Sequence, residues 1–293
     1  MANSLLGPSE KKLIELALKE DLGTGDVTCR ALFSPSKPSV KAVLLAKDPL
    51  VLAGLDVARA VFKKVNPRVS FKQLKKDGDR ILDGTPLAEI RGPAASLLAA
   101  ERVALNFLQH LCGIATLTHV FVQNVRGLPA KVLDTRKTLP GWRRLEKYAV
   151  KMGGGENHRM GLYDAYLIKD NHLALSGSLT EAVNKVRKAN KKKLKLEVEV
   201  TSLQALEEAL QVGIDWVLLD NMTLEDMHLA VLRRNAFSQS LGRISGRPFL
   251  EASGGINLDN VRAVAQTGVD FISVGALTHS AHAVDISLEM ISE

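Results

Sequence analysis

The second half of this chain alternates short apolar runs with longer segments of helical periodicity, and this rhythm restricts the folds available to it. From about Gly113 onward the runs are short and continuously apolar, which is typical of parallel strands covered on both faces. We predict strands at Val132–Asp134, Tyr166–Lys169, Leu196–Val200, Trp216–Leu219, Phe249–Ala252 and Phe271–Val274. We predict helices between them, at Leu179–Ala189, Leu203–Leu210, Leu224–Arg233 and Leu258–Gln266. Such a repeat indicates α/β architecture, as an open doubly wound sheet or a barrel of fewer than eight strands.

The first part of the chain lacks this repeat. Strands are predicted at Val40–Ala46, Val69–Leu74 and Leu87–Ile90, with one helix capped by Ser9 and another near Asp56–Val65. The mixture predicts an α+β sandwich domain.

A long helix is predicted to open after Arg91-Gly92-Pro93, since proline is favourable in the first helical turn. From Leu97 to Leu111 this helix is apolar on nearly every side, so we expect it to be buried between domains or subunits. Arg102 lies within it. The pattern alone fits equally an arginine paired to Glu101 at an edge and a buried arginine that needs an anionic partner.

Composition is that of a globular chain. Of the 293 residues, 46% are hydrophobic and 24% are charged, so a substantial core is expected. We divide the chain into an α+β domain, residues 1–113, and an α/β domain, residues 114–293, whose last helix is able to pack back on the first domain. The start lacks a signal-peptide pattern, and apolar runs fall short of the roughly 20 residues that span a bilayer. Two cysteines, Cys29 and Cys112, are read as reduced thiols, and we expect a cytoplasmic protein.

The net charge of +7 raises the question of nucleic-acid binding. The densest basic run, from Lys185 to Lys195, closes a predicted helix, where lysines complement the helix dipole. Aromatic residues make up 4% of the chain and do not interleave with this run, as a single-strand binding surface requires. We therefore favour a solvated helix end, and a basic nucleic-acid-binding protein stays as an alternative.

Polar and cationic residues gather where the predicted strands end. In α/β barrels, ligands bind at the carboxyl ends of the strands. The residues at these ends, together with those after the triple glycine at 153–155, are Thr135, Arg136, Lys137, His158, Arg159, Lys169, Glu199, Asp220, Ser253, Gly254, Gly255 and Gly275. Guanidinium groups grip carboxylate or phosphate with two hydrogen bonds, so this set predicts a pocket for a ligand with several negative groups.

Two features of this set suggest phosphate and ribose. Ser253-Gly254-Gly255 follows a strand and precedes a helix predicted to start at Asn257, so its amides and the helix N-terminus can hold a phosphate, as can Gly275. Glu199 and Asp220 are too few for an all-protein metal cage but suit ribose hydroxyls or a magnesium ion shared with substrate phosphates. The plainer readings are tight turns for the glycines and salt bridges for the carboxylates.

Several motifs together resemble one family. They are Asp134-Thr135-Arg136-Lys137-Thr138, Gly153-Gly154-Gly155-Glu156-Asn157-His158-Arg159 and Leu167-Ile168-Lys169-Asp170-Asn171-His172, with supporting matches from Glu20 to Thr28 and at residues 101–106, 197–200, 251–256 and 274–280. In this order, over nearly the whole chain, they resemble the quinolinate phosphoribosyltransferases, pentosyltransferases that decarboxylate quinolinate.

The resemblance implies an open α/β barrel and a role in NAD biosynthesis. It implies quinolinate and phosphoribosyl pyrophosphate as substrates, nicotinate mononucleotide, pyrophosphate and carbon dioxide as products, Mg²⁺ as cofactor, and a homodimer or higher homo-oligomer with a shared active site. By position it assigns quinolinate and pyrophosphate contacts to Arg102, Thr135, Arg136, Lys137, His158, Arg159 and Lys169. The catalytic set is Lys137, Lys169, Glu199 and Asp220, and the 5′-phosphate cradle is Ser253, Gly254, Gly255 and Gly275.

One alternative within the same class stays open, a related phosphoribosyltransferase acting on another acidic heterocycle. His172, His279, Arg143 and Arg144 receive no role from the sequence.

Overall fold

The structure is a computed structural model that describes residues 5–33, 39–240 and 247–291. Its elements along the chain are α1 (Pro8–Leu22), α2 (Val27–Leu32), β1 (Ser39–Ala46), β2 (Leu50–Val51), α3 (Leu55–Val65), β3 (Ser70–Gln73), β4 (Arg80–Ile81), β5 (Pro86–Pro93), α4 (Ala94–Asn124), β6 (Lys131–Leu133), α5 (Arg143–Met152), β7 (Tyr166–Ile168), α6 (Asp170–Ser176), α7 (Leu179–Ala189), β8 (Leu196–Val200), α8 (Leu203–Val212), β9 (Trp216–Asp220), α9 (Leu224–Ser240), β10 (Phe249–Ser253), α10 (Val261–Gln266), β11 (Phe271–Ser273), α11 (Ala276–His279) and β12 (Ile286–Ile291). They fall into two compact units, residues 1–119, 138–154 and 277–293 in the first, and residues 120–137 and 155–276 in the second.

The second unit contains a six-stranded sheet in the order β6-β11-β10-β9-β8-β7, and its strands are parallel. β6 and β7 lie at its two edges, which is the open α/β barrel with about six strands that we predicted. Each predicted strand is present within a residue or two of its expected bounds. The register pairs Glu251 with Leu218 and Phe271, so residues at the same depth in neighbouring strands can be identified.

Helices of the second unit follow their strands as expected. α7 has the predicted bounds, and its N-cap Ser178 accepts the Glu181 backbone N–H at 3.2 Å. α9 runs from Leu224 to Ser240, several residues beyond the predicted end at Arg233. The first residues of the predicted polar connection, from Ser238 to Ser240, are therefore helical. The middle of that connection, residues 241–246, lies outside the described residues.

The first unit contains a four-stranded sheet in the order β12-β1-β5-β3 and a small β2-β4 pair, with α1 and α3 beside them. The predicted α+β domain is confirmed. The chain returns to this unit after β11, because the last helix, α11, falls within it from Leu277 onward and Ile286–Ile291, which alternates apolar and polar residues, pairs as a strand with β1. The first helix begins at Pro8 instead of after Ser9, because Gly7 N donates to Glu10 Oε2 at 2.8 Å and closes the helix start there.

Within this chain the long helix α4 is largely buried and leaves one stripe exposed, and burial of that stripe by another subunit stays a prediction. Its buried residues include Leu97, Ala100, Val103, Ala104, Leu105, Phe107, Leu108, Leu111, Cys112, Ile114, Ala115 and Phe121. Arg102 and Asn106 are exposed on this chain. The helix is long and apolar enough to cross a membrane, with a mean hydropathy of 1.3 over its most apolar stretch. Of that stretch 56% is buried within the protein, as in the core helix of a globular domain.

Candidate active site

Two strand ends of the barrel are joined by an ion pair. Lys169 directly follows β7, Glu199 is the penultimate residue of β8, and Lys169 Nζ contacts Glu199 Oε2. The Glu199 side chain is 9% exposed whereas that of Lys169 is 42% exposed, so the pair faces solvent through the lysine. The structure therefore brings together two of the predicted catalytic residues.

The next two strand ends are tied by their backbones. Asp220 pairs in register with Ser253, and the Asn221 backbone N–H donates to Ser253 O at 2.9 Å. Gly254 has a φ of +95°, and a Cβ placed there would lie 2.1 Å from Asn221 Oδ1. Glycine is thus required at 254, both by the left-handed backbone and by the close approach of Asn221. Asp220 Oδ2 accepts the Asn221 side-chain amide at 2.8 Å.

The helix after this turn starts later than predicted. α10 begins at Val261, because Asn257 and Asn260 bond to the intervening backbone, with Asn260 Nδ2 donating to Gly255 O at 2.9 Å. The predicted contribution of a helix N-terminus at Asn257 to phosphate binding is therefore wrong, and the turn amides carry that prediction alone. Gly275 follows β11 as predicted, and α11 begins at Ala276.

The loop after β6 carries three predicted ligand contacts. Thr135 and Arg136 are partly buried and Lys137 is exposed, and Thr135 Oγ1 accepts the Lys137 backbone N–H at 3.0 Å. Asp134, just before them, is fully buried. The loop is thus fixed at its base while its cationic end faces solvent.

The segment after the triple glycine is bound alongside β6. Glu156 N donates to Val132 O at 2.8 Å, and Asp134 N donates to Glu156 O at 3.1 Å. The Asp134 carboxylate accepts the His158 backbone N–H at 2.9 Å and the Asn157 side-chain amide at 2.5 Å. The backbone of 156–158 is therefore held by β6 and Asp134.

The His158 ring points to buried acids. Its Nδ1 accepts the Arg159 backbone N–H at 2.7 Å. Its Nε2 lies 3.2 Å from Glu197 Oε2 and 3.4 Å from Glu251 Oε1, and the side chain is 8% exposed. An imidazole nitrogen that accepts a hydrogen bond carries no proton there, so the ring proton is placed on Nε2. We call His158, Lys195, Glu197 and Glu251 the buried cluster.

The rest of the buried cluster is closely bonded. Lys195 Nζ lies 3.1 Å from Glu197 Oε2 and 2.9 Å from the centre of the Trp216 ring, which is a cation–π contact. Glu251 accepts from Trp216 Nε1 at 2.9 Å and from Ser273 Oγ at 2.5 Å. Both glutamates are fully buried.

Glu197 and Glu251 differ in pKa because of burial and their mutual repulsion. Burial raises the pKa of Glu251 to about 7, and the Glu197 carboxylate pushes it in the same direction. Burial also opposes ionisation of Glu197, but His158 and Lys195 hold the pKa of Glu197 below its ordinary value. Burial lowers the pKa of Lys195 against the attraction of Glu197 and Glu251.

His158, Glu197 and Glu251 place a nitrogen and two carboxylate oxygens within 4.8 Å of one another, a spacing at which a metal ion could be held. The ring proton on Nε2 makes that nitrogen a donor, whereas a metal ligand needs its lone pair. Lys195 already supplies a positive charge there. These residues therefore do not fit a metal ion.

Arg159 lines a cavity of about 400 Å³ within the second unit, together with Asn157, His158, Lys195 and Trp216 among other residues. Its Nη1 donates to Ala165 O at 3.1 Å. Burial, followed by the nearby positive charge of Arg136, lowers the pKa of Arg159.

Sequence reasoning did not single out Lys195, Glu197, Trp216, Glu251 or Ser273. A signal was available, because side chains alternate along a strand and Lys195, Glu197 and Glu199 share one side of β8. Four further residues, unassigned from the sequence, make local contacts: His172 Nδ1 accepts Lys169 N at 3.0 Å, His279 Nδ1 lies 2.6 Å from Ser280 Oγ, Arg143 donates to Thr138 Oγ1 at 2.9 Å and Arg144 to Glu10 at 3.0 Å.

Fold and site together define an α/β-barrel protein whose strand ends carry a cationic site suited to a polyanionic ligand. Models of the quinolinate phosphoribosyl transferase N-terminal and C-terminal domains match residues 26–112 and 114–289. The chain belongs to the quinolinate phosphoribosyltransferase family.

Individual relatives agree over nearly full length. The probable nicotinate-nucleotide pyrophosphorylase [carboxylating] of Bacillus subtilis is 42% identical over 281 residues, covering 96% of this chain and 93% of that protein. The Mycobacterium leprae nicotinate-nucleotide pyrophosphorylase [carboxylating] is 44% identical, covering 94% and 95%. The structure of the nicotinate-nucleotide pyrophosphorylase from Francisella tularensis matches with a TM-score of 0.88 at 38% identity, covering 98% of each chain.

Proposed function

We propose that this chain transfers the phosphoribosyl group of phosphoribosyl pyrophosphate to quinolinate and decarboxylates the product, which yields nicotinate mononucleotide for NAD biosynthesis. The observation that carries this proposal is the cationic rim of the barrel in a chain that matches both domains of the family. Quinolinate carries two carboxylates and its cosubstrate a phosphate and a pyrophosphate, so the pocket must offset strong repulsion.

The roles of individual residues follow from their places on the barrel. Arg136, Lys137 and Arg159 bind the carboxylates of quinolinate, and Lys169 contacts quinolinate and the pyrophosphate. Thr135, which accepts the Lys137 backbone N–H, shapes the loop between them. The turn amides at Ser253, Gly254 and Gly255, with Gly275, bind the 5′-phosphate, and Glu199 and Asp220 face the ribose hydroxyls.

The reaction needs positioning and charge more than a protein nucleophile. The pyridine nitrogen attacks C1 of the ribose, the bond to pyrophosphate breaks, and both electrons leave with pyrophosphate. The bond from ring C2 to its carboxylate then breaks, carbon dioxide departs, and the electron pair left on C2, stabilised by the adjacent cationic nitrogen, takes a proton. Fixed cations that hold both substrates in contact supply the acceleration.

Magnesium is the proposed cofactor. Oxygen donors suit Mg²⁺, and Glu199 and Asp220 offer two carboxylates at the rim. Glu199 is paired with Lys169, which favours contact with the ion through water. When bound, the ion would offset the negative charge of the pyrophosphate group.

The assembly proposed is a cytoplasmic homodimer, or a higher homo-oligomer, with a shared site. Arg102 is exposed on a helix whose opposite side is buried in its own chain. A partner chain covering that exposed side would place Arg102 at the partner's barrel rim. The arrangement would be isologous, each chain completing the other's site.

One assay tests the function and its alternatives. The chain should form nicotinate mononucleotide from quinolinate and phosphoribosyl pyrophosphate, and turnover with nicotinate or orotate should be far slower. Faster turnover of either competitor would favour the related phosphoribosyltransferase. Salt-dependent binding of a DNA duplex without any transfer would favour the nucleic-acid-binding protein.

A further inference from the structure

The feature that leads beyond the proposed function is the contact between the His158 ring and two buried carboxylates. Both ring nitrogens face protein groups, with the Arg159 backbone N–H on Nδ1 and the Glu197 and Glu251 carboxylates around Nε2. The ring is therefore already engaged on both sides, which suits a residue that holds other groups in place.

The location of the proton in this cluster can be derived from its contacts. Placing a second proton on the ring would put it on Nδ1, opposite the Arg159 N–H, and break that 2.7 Å hydrogen bond. A proton added to the cluster is therefore better held by Glu251, because burial and the neighbouring Glu197 carboxylate raise the pKa of Glu251. Glu197 stays ionised because Lys195 lies 3.1 Å away.

The groups that face Glu251 come from all the elements around it. β8 contributes Glu197, the residue just before β8 contributes Lys195, β9 contributes Trp216, β11 contributes Ser273, and the segment after the triple glycine contributes His158. Burial and the Glu197 carboxylate oppose ionisation of Glu251, whereas His158, the Ser273 hydrogen bond and Lys195 favour it. The result is a pKa of about 7 for Glu251, which is where its proton would be lost in neutral solution.

We propose that Glu251 is a positioning residue: together with Glu197 it flanks His158 Nε2, fixes the ring, and so holds residues 157–159 with the Arg159 guanidinium in the cavity that it lines. The inference rests on the proposed function for what Arg159 binds. His158 then acts through the backbone it anchors, since its Nδ1 holds the Arg159 amide. Ionised Glu251 adds a second negative charge beside Glu197 and loosens this arrangement.

The first test locates the ring proton of His158 by NMR and does not depend on enzyme activity. The chain has 7 histidines, so ¹⁵N-histidine labelling with a His158→Gln reference assigns the His158 signals. We expect an unprotonated Nδ1 and a protonated Nε2, because the Arg159 backbone N–H donates to Nδ1. A ring proton on Nδ1, or a doubly protonated ring near neutral pH, would overturn the inference.

The second test uses kinetics with two variants. Glu251→Gln keeps the volume and the acceptor for Trp216 but cannot ionise, and its amide NH2 takes the place of the oxygen that faces His158 Nε2, so its kcat/KM for quinolinate should lie below that of wild type near pH 7. Above about pH 7, wild-type kcat/KM should fall about threefold or more relative to this variant, because only wild type gains the extra charge. Parallel pH profiles would contradict the inference.

Glu197→Gln removes the charge that pairs with Lys195 and receives Nε2–H. The KM for quinolinate should rise at least about tenfold, with kcat changed less, because binding by Arg159 is what weakens. Glu207→Gln is the matched control, since Glu207 is 52% exposed and pairs at the surface with Arg233. An unchanged KM for quinolinate in Glu197→Gln would overturn the inference. A wild-type chain that forms no nicotinate mononucleotide would overturn the proposed function, while the ¹⁵N result would still decide the state of the ring.

Discussion

Glu197 and Glu199 lie two residues apart on β8, and their side chains contact different groups at two levels of the barrel. Side chains alternate along a strand, so both point to the same side. Glu199, at the strand end, pairs with Lys169, whereas Glu197, one step inward, lies 3.2 Å from His158 Nε2 and 3.1 Å from Lys195 Nζ. The proposed chemistry occupies the outer layer, and the inner layer holds the segment that carries Arg159.

If Arg136 and Lys137 bind the carboxylates of quinolinate, replacing either residue should weaken quinolinate binding. Replacing either with alanine removes a charge-assisted contact worth roughly 1.5–3 kcal/mol, so the KM for quinolinate should rise at least about tenfold. Steady-state kinetics with quinolinate varied would show it. Lys191→Ala, on the exposed end of the basic run, is a matched control. Unchanged turnover and affinity in both pocket variants would rule out these contacts.

Magnesium should bind weakly to the free chain and mainly together with phosphoribosyl pyrophosphate, because two carboxylates make a sparse site. Titration calorimetry with and without the cosubstrate measures this difference. Activity should vanish in excess chelator and return when magnesium is restored. Full activity in excess chelator would exclude the reading of Glu199 and Asp220 as magnesium partners.

Gly254→Ala should disrupt the turn proposed to bind the 5′-phosphate. The new Cβ would lie 2.1 Å from Asn221 Oδ1 at a φ of +95°, so the backbone must move. We expect the KM for phosphoribosyl pyrophosphate to rise at least about tenfold. Gly127→Ala isolates backbone strain, because Gly127 has a φ of +85° with open space around it. Equal effects of the two variants on that KM would contradict the assignment of this turn.

Stability should depend on pH through Glu251. Its ordinary pKa of 4.5 rises to about 7 in the fold, so the folded chain keeps a proton that the unfolded chain releases. The free energy of unfolding should therefore fall by roughly 3 kcal/mol as pH rises from about 4.5 through about 7, and should stay low above that. Chemical denaturation of wild type and Glu251→Gln at several pH values measures this pH dependence of the free energy of unfolding, which the variant should lack. Curves of equal slope would show that Glu251 titrates as in the unfolded chain.

A shared active site predicts complementation. Chains carrying Arg102→Ala and Lys137→Ala should each be nearly inactive alone, and mixing them should restore part of the activity, because some mixed dimers hold one intact site. Subunit exchange must be confirmed with differently tagged chains. Failure to complement after exchange, or a fully active monomer, would refute the shared site.

Much of this architecture could be read from local sequence, and the exceptions have physical causes. The barrel strands are continuous apolar runs, so each was predicted, and Lys169 and Glu199 were placed at strand ends that prove adjacent. The start of α10 was misplaced because Asn257 and Asn260 side chains compete for the backbone, which a helix pattern does not reveal. The His158 contacts depend on Glu197 and Glu251, which are distant in sequence and meet through the sheet.

The β12 segment also could not be assigned from local sequence. Its six residues are too few to separate helix from strand by composition, and pairing with β1 decides the matter. That partner lies more than two hundred residues earlier in the chain, beyond the reach of any local pattern.

The central claim is most directly tested by following both leaving groups from one labelled substrate. Quinolinate labelled with ¹³C in its 2-carboxylate is incubated with phosphoribosyl pyrophosphate, magnesium and the chain, and ¹³C and ³¹P spectra are recorded together. We predict labelled carbon dioxide, pyrophosphate and nicotinate mononucleotide in equal amounts. Release of pyrophosphate with the label retained in the nucleotide, or the absence of transfer from both substrates, would contradict the proposed function.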